Sequence, residues 1–227
     1  MINLKKGKTE VMLIGTAKRL SLNTNDCTAN YRDTQINHVV SYKYLGILID
    51  STLNFSQQFD RSYKKASSRI RLLERIRPNI TKKVAEMINR LMILPVFNYC
   101  SIVHSDLTNV QIDKLQSLAN RARRIVSDHE VKIPYIYSEL LKQSCMFVRK
   151  CLDGNVCASF ENYFEKVNHQ VNTRSSNTSI KLPKVKLSTS KKSFYYFGAK
   201  LYNELPSHIK PEENIQGFKI LLNDHDF

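Results

Sequence analysis

The sequence predicts an α+β fold that is mostly α-helical, with a small antiparallel β-sheet at the N-terminus. Three observations carry this. Strand signals are confined to residues 9–50, and from Phe55 onward the apolar residues fall at helical spacing. A chain of 227 residues with 42% hydrophobic content can also bury a core, in one domain or two small ones.

Taken in order, Val11, Met12, Leu13 and Ile14 form a short apolar run that ends at Gly15. Residues 23–33 are rich in the Asn, Asp and Thr typical of turns. Val39-Val40 and residues 44–49 then supply two β-branched or aromatic runs that complete a small sheet. Here the period changes. Phe59, Tyr63, Ala66, Ile70, Leu73 and Ile76 are spaced by three or four and share one helical face, until Pro78 ends the helix. A second helix follows Thr81, whose hydroxyl suits an N-cap. It turns Val84, Met87, Ile88 and Leu91 inward before Pro95 breaks or kinks it. A third starts near Asn109 and aligns Ile112, Leu115, Ala119, Ala122 and Ile125. Beyond Ile133 the helical pattern runs to about Phe164, with Gly154 as a break. Residues 168–192 are dominated by Asn, Ser, Thr and Lys and read as an extended or poorly ordered linker. The final segment predicts a helix over 194–205, then Pro206 and Pro211, then a short helix over 214–222.

The charge balance points to the class of partner. With 35 basic and 20 acidic side chains the net charge is +15, which favours polyanions: nucleic acid first, an anionic membrane surface second. No apolar stretch approaches the roughly 20 residues that span a bilayer, and the N-terminus lacks the apolar region of a signal peptide. The expected setting is therefore nuclear or cytoplasmic, not secreted, with no membrane partner. The charge is also uneven. Residues 54–128 hold 14 basic and 6 acidic side chains, a net +8, against +3 for residues 1–53 and +4 for residues 129–227. On the first helix Arg61, Lys64, Lys65, Arg69, Arg71, Arg75 and Arg77 stand against only Asp60 and Glu74. On the third, Lys114, Arg121, Arg123 and Arg124 lie away from the apolar stripe. Such residues either solvate an outer face or bind phosphates; three basic helices in succession favour binding.

Five cysteines (Cys27, Cys100, Cys145, Cys151 and Cys157) without a secretory signal argue for reduced thiols, buried as small apolar side chains. Cys100 and His104 are four apart, but neither flank supplies the two further ligands of a zinc site, so no metal site is expected. Other chemistry has little footing. Nucleotide polymerisation needs clustered carboxylates holding two metal ions, and no Asp-Asp pair occurs in the chain. The nearest approaches are Asp128-His129-Glu130, Glu212-Glu213 and Asp224-His225-Asp226, none between strand signals. Phosphate-binding glycine loops and nucleophile motifs are absent too. The residues alone describe a basic, mostly helical binding module with a small sheet in front.

Five short motifs, in order along nearly the whole chain, give a more specific reading. The first is Asn3 followed by Lys8-Thr9-Glu10-Val11-Met12. Tyr44-Leu45-Gly46-Ile47 with Asp50 and residues 53–55 comes second, and Arg75-Ile76-Arg77 with Tyr99-Cys100 third. Residues 115–125 (Leu-Gln-Ser-Leu-Ala-Asn-Arg-Ala-Arg-Arg-Ile) are the fourth. The fifth joins Ser193-Phe194, Tyr196, Gly198, Leu201-Tyr202-Asn203, Leu205-Pro206 and Ile209-Lys210. Together they resemble the C-terminal part of the reverse transcriptases of non-LTR retrotransposons, particularly the jockey-like and related LINE-type elements. Tyr202 stands where that family usually has Trp, and His104 where a Trp commonly follows the Tyr-Cys pair.

The resemblance implies a domain plan. Residues 1–53 would be the end of a polymerase palm with a primer-grip hairpin, residues 54–128 a basic thumb-like helical bundle, and residues 129–167 a helical downstream region. Residues 168–192 would be a flexible linker and residues 193–227 a C-terminal helical segment. Lys8 would match the palm lysine that assists pyrophosphate departure, and Tyr44, Leu45 and Gly46 the primer grip. The family's metal-binding Asp-Asp turn and its endonuclease have no counterpart here. The expectation is therefore a truncated, non-catalytic fragment of an RNA-directed DNA polymerase, with no cofactor, although the parent family uses magnesium. Nonspecific RNA or DNA binding through Arg61, Lys64, Lys65, Arg69, Arg121, Arg123 and Arg124 would remain. A protein-interaction module, or the product of a pseudogene without function, are the alternatives.

Overall fold

The computed structural model describes residues 9–22, 29–31, 34–104, 107–126, 136–167, 179–186, 188–212, 214–225 and 227. The fold is α+β and mostly helical, with its few strands confined to the N-terminal region. Two compact units divide the chain, Met1–Lys65 and Ala66–Phe227.

In the first unit β1 (Glu10–Val11) pairs in parallel with β3 (Thr34–His38), and β2 (Ala29–Tyr31) pairs antiparallel with β3 on its other side. A separate hairpin joins β4 (Ser41–Tyr44) to β5 (Ile47–Asp50). The sheet is thus mixed rather than purely antiparallel, because a short helix α1 (Ala17–Leu22) lies on the path between β1 and its partner. Parallel neighbours need such a crossover, which the Asn- and Thr-rich sequence did not suggest. The apolar run 11–14 gives only Val11 to a strand. Val39 and Val40 fall between β3 and β4, where the Val39 amide donates to Val11 O (2.9 Å) and Val40 O accepts from Ser51 N (2.9 Å).

The strand run expected through residues 44–46 is instead a turn. Tyr44 pairs with Ile47, leaving Leu45 and Gly46 as a two-residue loop. Both have positive φ, 45° and 90°, the sign a tight hairpin turn matched to strand twist requires. Gly46 adopts this freely; Leu45 does so at some cost.

Asp50 then organises the exit from β5. Its buried carboxylate accepts the amides of Thr52 (3.0 Å), Asn54 (3.3 Å) and Phe55 (2.8 Å), and the Thr52 hydroxyl. These bonds hold a turn in which Leu53 and Phe55 both have positive φ (55° and 53°). Burial raises the Asp50 pKa, but the four hydrogen bonds to its charged form outweigh burial, so the group lies below the usual carboxylate value. Helix α2 (Ser56–Ile76) follows, started by Asn54, whose Oδ1 accepts from Ser56 N (2.9 Å). Buried Gln58 reaches back to the hairpin: its Oε1 accepts the Leu48 amide (3.0 Å) and its Nε2 donates to Ser62 (3.1 Å). A strand amide that would otherwise sit unpaired on the outer edge of β5 is thereby satisfied.

The second unit takes the rest of α2, where Ala66, Ile70 and Leu73 are buried as their spacing predicts. Helix α3 (Lys82–Ile88) is capped by Thr81, whose hydroxyl accepts from Val84 N. It runs into a wide π-type turn over Asn89–Ile93, closed by Leu94 N donating to Asn89 O (3.0 Å). Helix α4 (Pro95–Asn98) resumes at once. The π turn corrects the expected face. One extra residue resets the phase beyond it, so Leu91 is exposed while Ile93 and Phe97 are buried. Ahead of it, α3 buries Ala85 and leaves Met87 exposed.

Helix α5 (Asn109–Val126) opens with a reciprocal cap: Thr108 N donates to Gln111 Oε1 (2.9 Å) and Gln111 N to Thr108 Oγ1 (3.4 Å). Helix α6 (Ile136–Leu152) stops twelve residues short of Phe164, since Gly154 takes φ 70° and Asn155 N closes onto Lys150 O (2.9 Å).

The remaining helices are α7 (Ser188–Lys191), α8 (Phe194–Glu204) and α9 (Ile215–Asp224). Asn214 caps α9 by accepting from Gln216 N (2.8 Å). Cys145, Val148, Ile180, Ala199, Ile209, Phe218 and Leu222 form the core around α6, α8 and α9. Ile180 belongs to the segment read as a linker, yet it is buried. Helices α6 and α8 approach closely at Gly198, where a Cβ would meet Val148 and Phe194 at 3.1 Å.

Candidate nucleic-acid interface

The basic residues named from sequence fall into several distinct settings. In the first unit Lys64 and Lys65 are exposed on α2, and Arg61 donates to the carbonyl of Gly46 at 3.5 Å, beside the hairpin turn. Tyr44 and Leu45 stand out from that hairpin, 58% and 75% exposed. The structure thus brings Arg61 next to the Tyr44-Leu45-Gly46 element, as two distant sequence motifs alone could not show. Lys8 lies outside the described residues.

In the second unit the picture divides. Arg69 is half-buried and spends a guanidinium N–H on the carbonyl of Met92, which pins α2 to the π turn. Arg121 is held in a two-pronged pair with Glu74, its Nε 3.0 Å from Oε1. That hydrogen bond is the main reason the Glu74 carboxyl lies below its ordinary value; burial opposes it, and the charges of Arg121 and Arg71 add to it. Two residues expected to meet phosphates therefore have structural partners. Glu74, 47 residues away in sequence, gave no prior sign of this. Arg124 is exposed on α5. Lys64, Lys65, Arg71, Arg75 and Arg124 have no ion-pair partner among the described residues.

Arg123 is different again. It lines a cavity of about 260 Å³ floored by apolar residues of α2, α4 and α5, with Glu139 of α6 on the same wall. Burial pushes its guanidinium down from the ordinary value and the Glu139 carboxylate pulls it back. Neither the cavity nor Glu139 was legible beforehand, because the lining comes from five separate segments.

The C-terminal motif proves architectural. Tyr202 is buried against Phe218 with ring centroids 6.2 Å apart. The Asn203 amide pairs with both the N–H and the C=O of Ile180, at 2.8 Å each. Lys210 Nζ donates to Asn203 O (2.6 Å), and burial lowers the pKa of its ammonium. Lys142 and Arg149, both buried on α6, anchor the C-terminal segment through Asn223 O (2.8 Å) and Lys210 O (3.3 Å). These cations are used up in holding the fold.

The four described cysteines are free but not uniformly buried: Cys145 and Cys151 are, whereas Cys100 and Cys157 are exposed, and Cys27 lies outside the described residues. Cys100 turns the chain at φ 53° after α4, and Cys157 follows the helix-ending Gly154, so both sit at turns rather than on packed faces. Burial pushes the Cys145 thiol far above its ordinary pKa. Among the described residues no three His, Cys, Asp or Glu side chains gather as a metal site would need, and no helix is long and apolar enough to cross a membrane. Comparison with protein-family models, with curated proteins and with solved structures gives no match to the chain.

Proposed function

We propose that this chain is a non-catalytic, reverse-transcriptase-like nucleic-acid-binding protein that holds RNA or DNA through its phosphates without reading sequence. One observation carries the reading: Lys64, Lys65, Arg75 and Arg124 project from helices on a chain of net charge +15, with no ion-pair partner among the described residues. Cations arranged so gain most from displacing the counterions of a polyanion. Arg69 and Arg121 contribute little, being committed to Met92 O and Glu74. The exposed hairpin of Tyr42, Tyr44 and Leu45 beside Arg61 supplies aromatic surface near positive charge, a combination suited to unpaired bases. The reading includes no polymerisation step, since these 227 residues contain no adjacent aspartates.

Fluorescence anisotropy with a labelled 20-mer would test it. Affinity should fall by at least about a hundredfold between roughly 50 and 200 mM salt. Changing Lys64 and Lys65 together to Ala should flatten that dependence. Salt-independent binding, or none at low salt, would overturn the reading.

A second reading, a protein-interaction module, is favoured by the exposed Leu72, Met87, Leu91 and Met92. Adaptable Met-containing apolar surface of this kind suits a protein partner. A partner complex that survives nuclease treatment would favour it over the first.

A further inference from the structure

The charged pair in the second unit's cavity has a ligand preference of its own. Ile70, Ile93, Phe97 and Leu118 give the cavity apolar walls, while Arg123 and Glu139 place one guanidinium and one carboxylate on its lining. Its volume of about 260 Å³ suits a single flat ring system rather than an extended ligand. The Glu139 side chain is 49% exposed, so the charged side of the cavity reaches solvent, and its Oε1 stands 3.6 Å from Lys142 Nζ, an ion pair that a bound base would share. A carboxylate there disfavours a free phosphate, and a guanidinium disfavours a cation. What fits is a neutral ring offering acceptors on one edge and donors on another. Among the bases, guanine alone has O6 and N7 for a bidentate Arg contact, and N1–H with N2–H₂ for a carboxylate. Unpaired bases splayed from a single strand are the usual form in which such edges are read.

We propose that this cavity receives one unstacked guanine of a bound single strand, with Arg123 on its O6/N7 edge and Glu139 on its N1/N2 edge. This rests on the nucleic-acid reading above, and adds to it a base preference that phosphate contacts cannot give. The π turn at Asn89–Ile93 shapes one wall, because the phase shift carries Ile93 inward.

The test uses the full chain and three 12-mers of thymidine that differ only at the centre: thymine, guanine or inosine, which lacks the N2 amine. A central guanine should tighten binding about tenfold over thymine, with inosine between the two. Glu139→Gln should remove the advantage of guanine over inosine. Ala119→Leu, which puts bulk into the cavity from α5, should remove the preference for guanine altogether. Ala119→Leu should keep the affinity and salt dependence of the all-thymine strand; Glu139→Gln, which removes one negative charge, should raise that affinity slightly at low salt, so its readout is the ratio of guanine to inosine binding. Equal binding of all three strands overturns the pocket and leaves the phosphate reading intact. A guanine preference that survives both substitutions overturns it as well. Failure of every strand to bind at low salt defeats the nucleic-acid reading itself.

Discussion

The two units hold themselves together by different means. In the first, buried apolar side chains are scarce: among the described residues only Ile47 and Phe59 are. Order there comes from polar groups, with Asp50 gathering three amides and a hydroxyl and Gln58 clamping the Leu48 amide. The second unit has an extended apolar core from Ala66 to Leu222, and its buried cations lock the C-terminal segment onto that core. Burial is non-directional and tolerates exchange, whereas a hydrogen-bonded hub fails when one group is lost. The first unit should be the more fragile and the more sensitive to pH.

The largest effect belongs to the apolar core. Phe218→Ala removes a fully buried ring stacked on Tyr202 and lying 5.4 Å from the Arg149 guanidinium, and should cost about 3–5 kcal/mol in chemical denaturation. A cost under about 1 kcal/mol would mean this core is not what holds the second unit. Next, Asp50→Ala strips the hub and leaves buried amides unpaired, a loss of about 2–3 kcal/mol. Hydrogen exchange should show it as faster amides over residues 47–55, with residues 140–150 unchanged. Uniform acceleration across both regions would contradict two separate modes of stabilisation.

The same carboxylate sets a pH window. The Asp50 pKa in the folded chain lies below its unfolded value of 3.8, so its contribution is full above that value and drains away as pH falls through the folded pKa. Protection of amides 52–55 should therefore drop on acidification below about pH 4. In Asp50→Asn that pH step should vanish.

A smaller change should go the other way. Leu45→Asn or Leu45→Gly relieves a left-handed backbone at φ 45° and should stabilise the hairpin by up to about 1 kcal/mol. Smallest of all, Glu74→Ala removes an exposed ion pair and should shift stability by less than about 1 kcal/mol. It also frees Arg121, so nucleic-acid affinity at low salt should rise slightly rather than fall.

Much of the second unit was legible because its helices follow apolar periodicity. Ala66, Ile70 and Leu73, then Ile112, Leu115 and Ala122, are buried where their spacing predicts. Periodicity failed at Leu91, since a π turn adds a residue that leaves no mark in an apolar pattern, and at Met87, where α3 buries the small Ala85 instead. It also missed Leu45-Gly46 as a turn, because Leu rarely occupies such a position. Of the site, residue types were readable and commitments were not. Whether an arginine is available for phosphate depends on a carbonyl 23 residues away for Arg69, or a carboxylate 47 away for Arg121. Contacts of that range are set by packing.

The Asn203 clamp on Ile180 has a practical corollary. Val167 N donates to Ser179 O at 2.9 Å, and Lys181 N to Glu165 O at 2.8 Å, so residues 165–167 and 179–181 are stapled to each other as well as to α8. The two backbone stretches therefore share one fate. Asn203→Ala, which releases the N–H and C=O of Ile180 together, should quicken exchange of the Val167 and Lys181 amides in step.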